Sequence, residues 1–207
     1  MPERIGLAAL KLSCQRGGRI IFRDLSFQLA PGEALLVTGP NGAGKTSLLR
    51  QIAGLLPLAG GELRLEGASP DAALPELCHY VGHANAVKAS LSVGENLAFW
   101  ADFLNEDGAG LKRALAAFGL TSLADLPAGL LSAGQKRRLA LSRLFAAPRP
   151  IWLLDEPQTS LDAASVKLLD LAIEDHLAAG GIALVASHTP LKTKFAHALA
   201  LGKERVS

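Results

Sequence analysis

Eight consecutive residues carry the strongest chemical signal in the chain: Gly39-Pro40-Asn41-Gly42-Ala43-Gly44-Lys45-Thr46. They satisfy G-x-x-x-x-G-K-[ST], a loop whose glycines let successive backbone N–H groups curl around phosphate oxygens. Lys45 would set a cation against the β- and γ-phosphates, and the Thr46 hydroxyl would be a Mg²⁺ ligand. Ser47 continues the phosphate-contacting run into a helix whose N-terminal N–H groups and dipole favour an anion. The loop indicates a nucleoside triphosphate. It does not separate kinase, GTPase, motor and transporter.

A second constellation narrows the chemistry. Ile151-Trp152-Leu153-Leu154 is an apolar run that ends in Asp155-Glu156. In a parallel sheet, ligands bind outside the carboxyl ends of the strands. Asp155 should therefore stand beside the phosphate loop and anchor Mg²⁺ directly or through water. Glu156, one residue on, should orient water for in-line attack on the γ-phosphate. Ser187-His188 ends another apolar run, Ile182–Ala186, and His188 is placed to reach the γ-phosphate. No Asn-Lys-x-Asp motif for guanine is present, which argues against a GTPase.

The third constellation is Leu131-Ser132-Ala133-Gly134-Gln135, followed by Lys136-Arg137-Arg138-Leu139. This reads as the start of an amphipathic helix with basic first turns. Ser132 serves as N-cap, and Ala133 and Gly134 leave the helix terminus open to a second anion. A site facing away from its own phosphate loop could complete only another copy's site.

The elements that position these groups follow from apolar patterning. Ile20–Phe22 and Leu25–Leu29 read as short strands. Ala34–Thr38 reads as a strand buried on both faces, with a helix from about 45 to 55. Glu62–Glu66 alternates as a strand. From 94 to 147 the spacing is helical, with Leu97, Trp100, Ala101, Leu104 and Leu111, Leu115, Phe118 as core stripes. Strand, helix (about 163 to 179) and strand then alternate again. The pattern predicts a largely parallel sheet with helices inserted in its middle.

Composition bounds the rest. The 207 residues fit one domain, and 49% hydrophobic residues supply a core. The net charge of +2 gives no case for nucleic acid. Cys14 and Cys78 form no framework or metal pattern, so a reducing compartment is the default. Mean hydropathy is high at +0.27. Yet the longest run without Asp, Glu, Lys or Arg, residues 176–191, is too short and too polar to span a bilayer. No apolar leader follows Met1-Pro2-Glu3-Arg4.

Taken together and in order, these motifs resemble those of ABC ATPases: the phosphate loop, Leu131–Gln135, Asp155-Glu156, Thr159-Ser160-Leu161-Asp162 and His188. The resemblance covers nearly the whole chain. It implies an α/β fold: a P-loop NTPase (RecA-like) core with an ABC-type β subdomain and an inserted helical subdomain. The expected organisation is a single domain over 1–207, with the core at about 1–82 and 148–207 and the helical part at about 83–147. It implies ATP and Mg²⁺ as ligands and a head-to-tail homodimer with ATP between the copies. Ser132, Gly134 and Gln135 would touch the opposite copy's nucleotide, and Asp162 would couple the two sites. Integral membrane subunits are the implied partners.

Two positions depart from the family pattern. His83 stands where most cassettes have a Gln, and an imidazole suits Mg²⁺ less well than an amide oxygen, so it should act through water. Arg16 stands where an aromatic residue commonly stacks on adenine; a guanidinium plane also stacks. Gly82-His83, Lys88 and Leu131–Arg138 resemble the ATPase subunit of the bacterial cytochrome c biogenesis haem exporter. That resemblance implies a peripheral protein on the cytoplasmic face of the inner membrane, powering haem export or haem-chaperone release without touching haem. An ABC ATPase for another substrate, a soluble non-transport ABC ATPase and a P-loop kinase are the alternatives left open.

Overall fold

The computed structural model describes residues 4–202. Met1–Glu3, read above for a leader, and 203–207 of the expected domain lie outside the described residues. Two sheets carry the architecture. The first is antiparallel, in the order β2-β1-β4: β1 is Gly6–Arg16, β2 is Arg19–Leu29 and β4 is Gly60–Glu66. The second is parallel, in the order β5-β6-β7-β3-β8: β3 is Ala34–Thr38, β5 Cys78–Val81, β6 Ile151–Asp155, β7 Ile182–Ala186 and β8 His197–Ala200. Helix α1 is Lys45–Ile52, and α5 is Ala163–Ala178. Between β5 and β6 lie α2 (Val93–Phe103), α3 (Leu111–Ala117) and α4 (Ala133–Ala146).

The central strands show why the chain is so apolar. All five residues of β6 and all five of β7 are buried. Alternation sends Ile151, Leu153, Ile182 and Leu184 to one core, shared with α1 and the antiparallel sheet. Trp152, Leu154, Ala183 and Val185 go to the other, shared with α2–α5. Each fully buried aliphatic side chain contributes about 1.5–3 kcal/mol, so the hydropathy is used in two cores at once. Trp152 stacks on His176 with ring centres 3.9 Å apart and planes 8° from parallel. Burial holds His176 down at about 4 and His79 down at about 3. Among the described residues no helix is long and apolar enough to cross a membrane.

Several elements differ from the patterning. The two short runs Ile20–Phe22 and Leu25–Leu29 are one strand, β2, with Asp24 at φ 52° between them. Strand β1 escaped the sequence because a bulge changes its phase. Leu7 and Ala9 point inward, then Leu12 and Cys14 do, with Lys11 at φ 51° and slipped register between. Strands β5 and β8, four residues each, were also not anticipated. In α2, Leu97 and Ala101 are core, but Trp100, and Leu104 just past the helix end, are half-buried and line a groove instead. Helix α4 is not amphipathic: Arg137 and Arg143, at 2% and 4% exposure, sit inside with Leu139, Leu141 and Leu144.

Candidate functional site

Parallel pairing brings the strand ends level. Val81 pairs with Leu154, Asp155 with Ala186, and Val37 with Ala186. The residues just past β3, β5, β6 and β7 therefore converge, and they wall a cleft of about 440 Å³. Its lining includes Asn41, Gly42, Gly44, Lys45, Thr46 and Ser47 from the phosphate loop. Asp155, Glu156, His188, His83 and Arg16 also line it.

Lys45 is buried at 7% exposure. Its ammonium donates to Gly39 O at 2.8 Å and Pro40 O at 3.3 Å, and lies 2.8 Å from His188 Nε2. His188 Nε2 is also 3.0 Å from Asn41 Oδ1. One imidazole nitrogen cannot accept from the ammonium and donate to Asn41 at once, so the ring is shared between two partners. Ala43 packs below the loop in the core shared with β1. Gly44, at φ 104°, is required twice over: its backbone is left-handed, and a Cβ there would come within 2.6 Å of Ile21 Cγ2.

The carboxylates differ in environment. Asp155, 1% exposed, accepts from Thr46 Oγ1 at 2.8 Å. Tyr80 O–H lies 3.5 Å from the same Asp155 Oδ2 and accepts from Arg50 Nε at 3.3 Å. Burial is the main reason the Tyr80 phenol is raised, opposed by Arg50. His83 Nε2 lies 3.8 Å from Asp155 Oδ2, beyond a hydrogen bond, and its ring is well exposed. Glu156 has φ 47°, in the left-handed region where a non-glycine residue is strained by about 1–3 kcal/mol. Its Oε2 accepts from His188 N at 3.3 Å, while its Oε1 is buried with no hydrogen-bond partner, His188 Nε2 standing 3.6 Å away, beyond hydrogen-bonding distance.

These groups suit a triphosphate with a hard cation. Thr46 Oγ1 and Asp155 Oδ2 are oxygen donors 2.8 Å apart. No cluster of three or more His, Cys, Asp or Glu forms a metal site among the described residues. Magnesium requires no such cluster, because it keeps waters and phosphate oxygens as its other ligands. The unpartnered Glu156 Oε1 supplies an acceptor for water.

The third constellation lies elsewhere. Neither Ser132, Gly134, Gln135 nor Asp162 lines the cleft. Ser132 Oγ accepts from Gln135 N at 3.2 Å, and Gln135 Oε1 accepts from Ser132 N at 2.8 Å, a reciprocal cap on α4. Ser132 and Ala133 are exposed. Gly134 is pressed against the turn between β6 and α5: a Cβ there would stand 2.8 Å from Ser160 O. Asp162 caps α5, accepting from Ser165 N at 2.7 Å. The Ser165 side chain, and after it this backbone N–H, hold its carboxyl below the ordinary value.

Sequence reasoning gave no site role to Ile21, Thr159, Tyr80 or Arg137. The first two line the cleft, and the last two hold its walls. Ile21 projects from β2 over Gly44, which no motif marks. Beside the cleft runs a groove of about 530 Å³ between α2 and the core, lined by Leu55, Tyr80, His83, Trp100, Phe103 and Arg143 among others. Leu55 and Phe103 are exposed at 63% and 65%. Arg143 covers Trp100, with Cζ 4.5 Å from the ring centre, and donates to Tyr80 O.

Known proteins resemble this chain in sequence and in fold. A family model described as "ABC transporter" matches residues 22–159. A Nitrobacter winogradskyi protein named "Cytochrome c biogenesis ATP-binding export protein CcmA" is 53% identical over 180 residues, covering 87% of this chain and 90% of that protein. Proteins of the same name from Bradyrhizobium diazoefficiens and a Chelativorans species are 51% and 49% identical, over 89% and 95% of this chain and 92% and 98% of theirs. A solved structure from Pyrococcus furiosus, described as an ABC transporter ATP-binding protein, superposes with a TM-score of 0.81 at 22% identity. It covers 95% of this chain, and 97% of that chain is matched. A structure of an ATP-binding subunit of an ABC transporter gives 0.78 at 23% identity over 88% of this chain and 79% of that one.

Proposed function

The chain belongs to the ABC transporter ATP-binding family, and we propose that it is the ATP-hydrolysing subunit of an export complex for cytochrome c maturation, of the haem-handling type. The observation that carries the hydrolytic part is the single cleft holding Lys45, the Thr46–Asp155 pair and the unpartnered Glu156 Oε1. The name shared by relatives at 49–53% identity supports the export part.

In this reading the loop from Gly39 to Ser47 wraps the phosphates with backbone N–H groups. Lys45 leaves its loop carbonyls and His188 to meet the β- and γ-phosphates. Thr46 and Asp155 would hold Mg²⁺, and His83 would act on it through water. When bound, that ion offsets the negative charge on the phosphate oxygens. Glu156 accepts a proton from water as it attacks the γ-phosphorus; the bond to the ADP oxygen breaks, giving ADP and phosphate. His188 N fixes the Glu156 carboxylate by its second oxygen, and the His188 ring faces the γ-phosphate. Arg16 and Ile21 flank the base.

Ser132, Gly134, Gln135 and Asp162 stay off the cleft of their own copy, which supports a head-to-tail dimer with ATP between two copies. The segment from about 83 to 147 acts as the helical subdomain, set on a core of about 1–82 and 148–207. Its groove, with exposed Leu55 and Phe103, receives an integral membrane subunit on the cytoplasmic face of the inner membrane. Neither nucleic acid nor haem is a ligand of this chain. A strain whose only copy carries Glu156→Gln tests the assignment. Loss of mature c-type cytochromes, with recovery of the subunit among integral membrane proteins, supports it. Normal cytochrome c levels would overturn the export assignment.

A further inference from the structure

Arg137 is 2% exposed and touches no carboxylate oxygen within hydrogen-bonding distance, yet all five of its N–H donors are used. Nε donates to Pro157 O at 3.0 Å. One terminal nitrogen donates to Gly82 O at 2.7 Å and Asn85 Oδ1 at 3.3 Å. The other donates to Asp155 O at 3.1 Å and Glu156 O at 2.9 Å. Burying an ionised guanidinium is unfavourable unless its partners are well placed, and here each donor has one.

Those five acceptors belong to two segments, and Arg137 itself belongs to a third. Gly82 and Asn85 flank His83 in the loop after β5. Asp155, Glu156 and Pro157 are the turn that ends β6. Arg137 lies in the second turn of α4, just past the Ser132–Gln135 cap. The grip on the β6 turn is centred on the strained residue: Arg137 holds the carbonyls of 155, 156 and 157, and Glu156 N donates to Ala186 O at 2.8 Å. A left-handed glutamate persists only where its surroundings over-determine it, and these are the bonds that do so.

We propose that Arg137 is a positioning residue for hydrolysis: it locks the Glu156 backbone so that Oε1 stays free in the cleft wall, and it ties that geometry to the placement of α4. A ligand pulling on the exposed start of α4 thereby acts on the general base of the same chain. The inference rests on Glu156 being that base.

The test compares Arg137→Lys and Arg137→Gln with the native protein in its membrane complex, with Glu156→Gln as reference. Lysine keeps the charge but gathers three donors on one nitrogen, so it cannot span two segments. Melting is read first, then KM and kcat for Mg·ATP. Arg137→Lys is expected to fold and to lose about 10–100-fold in kcat, the scale of a misplacement near 1 Å, with KM moved less than about threefold. In the Glu156→Gln background the same substitution is expected to change the residual rate less than about twofold, because the group it positions is already gone. Equal fold-losses in both backgrounds would overturn the role, as would a changed KM with native kcat, or loss of folding in both Arg137 variants. Native turnover in Arg137→Lys alone would overturn the Arg137 role only; native turnover in Glu156→Gln would overturn the reading of Glu156 beneath it.

Discussion

Replacing Glu156 with Gln changes one functional group and little else. The backbone is held from both sides, by Glu156 N to Ala186 O and by Arg137 to the carbonyls of 155–157. The amide is nearly isosteric with the carboxylate, so its oxygen can still accept from His188 N as Oε2 does at 3.3 Å. What disappears is the buried, unpartnered carboxylate oxygen able to take a proton. A positioned general base contributes about 10²–10⁴ in rate, equivalent to about 2.7–5.5 kcal/mol of barrier. Phosphate release at saturating Mg·ATP should therefore fall by that factor. ATP affinity, measured at equilibrium with a labelled nucleotide, should hold or rise, since a negative charge leaves the cleft. Turnover within about threefold of native would refute the base assignment. Loss of ATP binding together with turnover would make Glu156 a ligand of the triphosphate instead.

Other outcomes follow from the same geometry. Lys45→Ala should weaken ATP binding by about 10–100-fold, the worth of a charged hydrogen bond, seen as a raised dissociation constant in the isolated subunit. Ser132→Ala removes half of the α4 cap and should lower the unfolding free energy by about 1 kcal/mol in denaturant titration. It should also depress ATPase activity while single-subunit nucleotide binding stays native; loss of both would count against the two-copy site. His83→Ala should raise the Mg²⁺ concentration giving half-maximal turnover, and unchanged metal dependence in both His83→Ala and His83→Gln would dismiss a water-mediated role. His79 and His176 are held neutral by burial, at about 3 and about 4 against 6.5 in the unfolded chain. Their stabilisation is whole above pH 6.5 and is lost as pH falls toward those values. At pH 5 each has forfeited about 2 kcal/mol, at 1.36 kcal/mol per unit below 6.5. The melting temperature should drop between pH 7 and 5, and His176→Phe should flatten that drop.

Short-range chemistry was legible in the sequence where one segment fixes it. The phosphate loop, the buried runs at 151–154 and 182–186 and the Ser132 cap are each specified by contiguous residues. Long-range chemistry was not. Tyr80 reaches Asp155, and Ile21 reaches Gly44, only because segments distant in sequence become neighbours. Arg137 had a signal that charge concealed. It lies four and seven residues before Leu141 and Leu144, on the inward stripe of α4. A basic residue on that stripe must find acceptors, and the ends of β5 and β6 supply them. Strand β1 was hidden by its bulge, since a phase change defeats a period-two reading.

The two tryptophans give this molecule a built-in optical readout. Neither lines the nucleotide cleft. Trp152 is sealed against His176 in the core, so its emission should stay constant until the fold opens. Trp100 sits under the Arg143 guanidinium in the wall of the groove, and that arginine also donates to Tyr80 O. A shift in tryptophan emission on adding ATP would thus originate at Trp100, making it a dye-free gauge of how far nucleotide occupancy is felt at the groove.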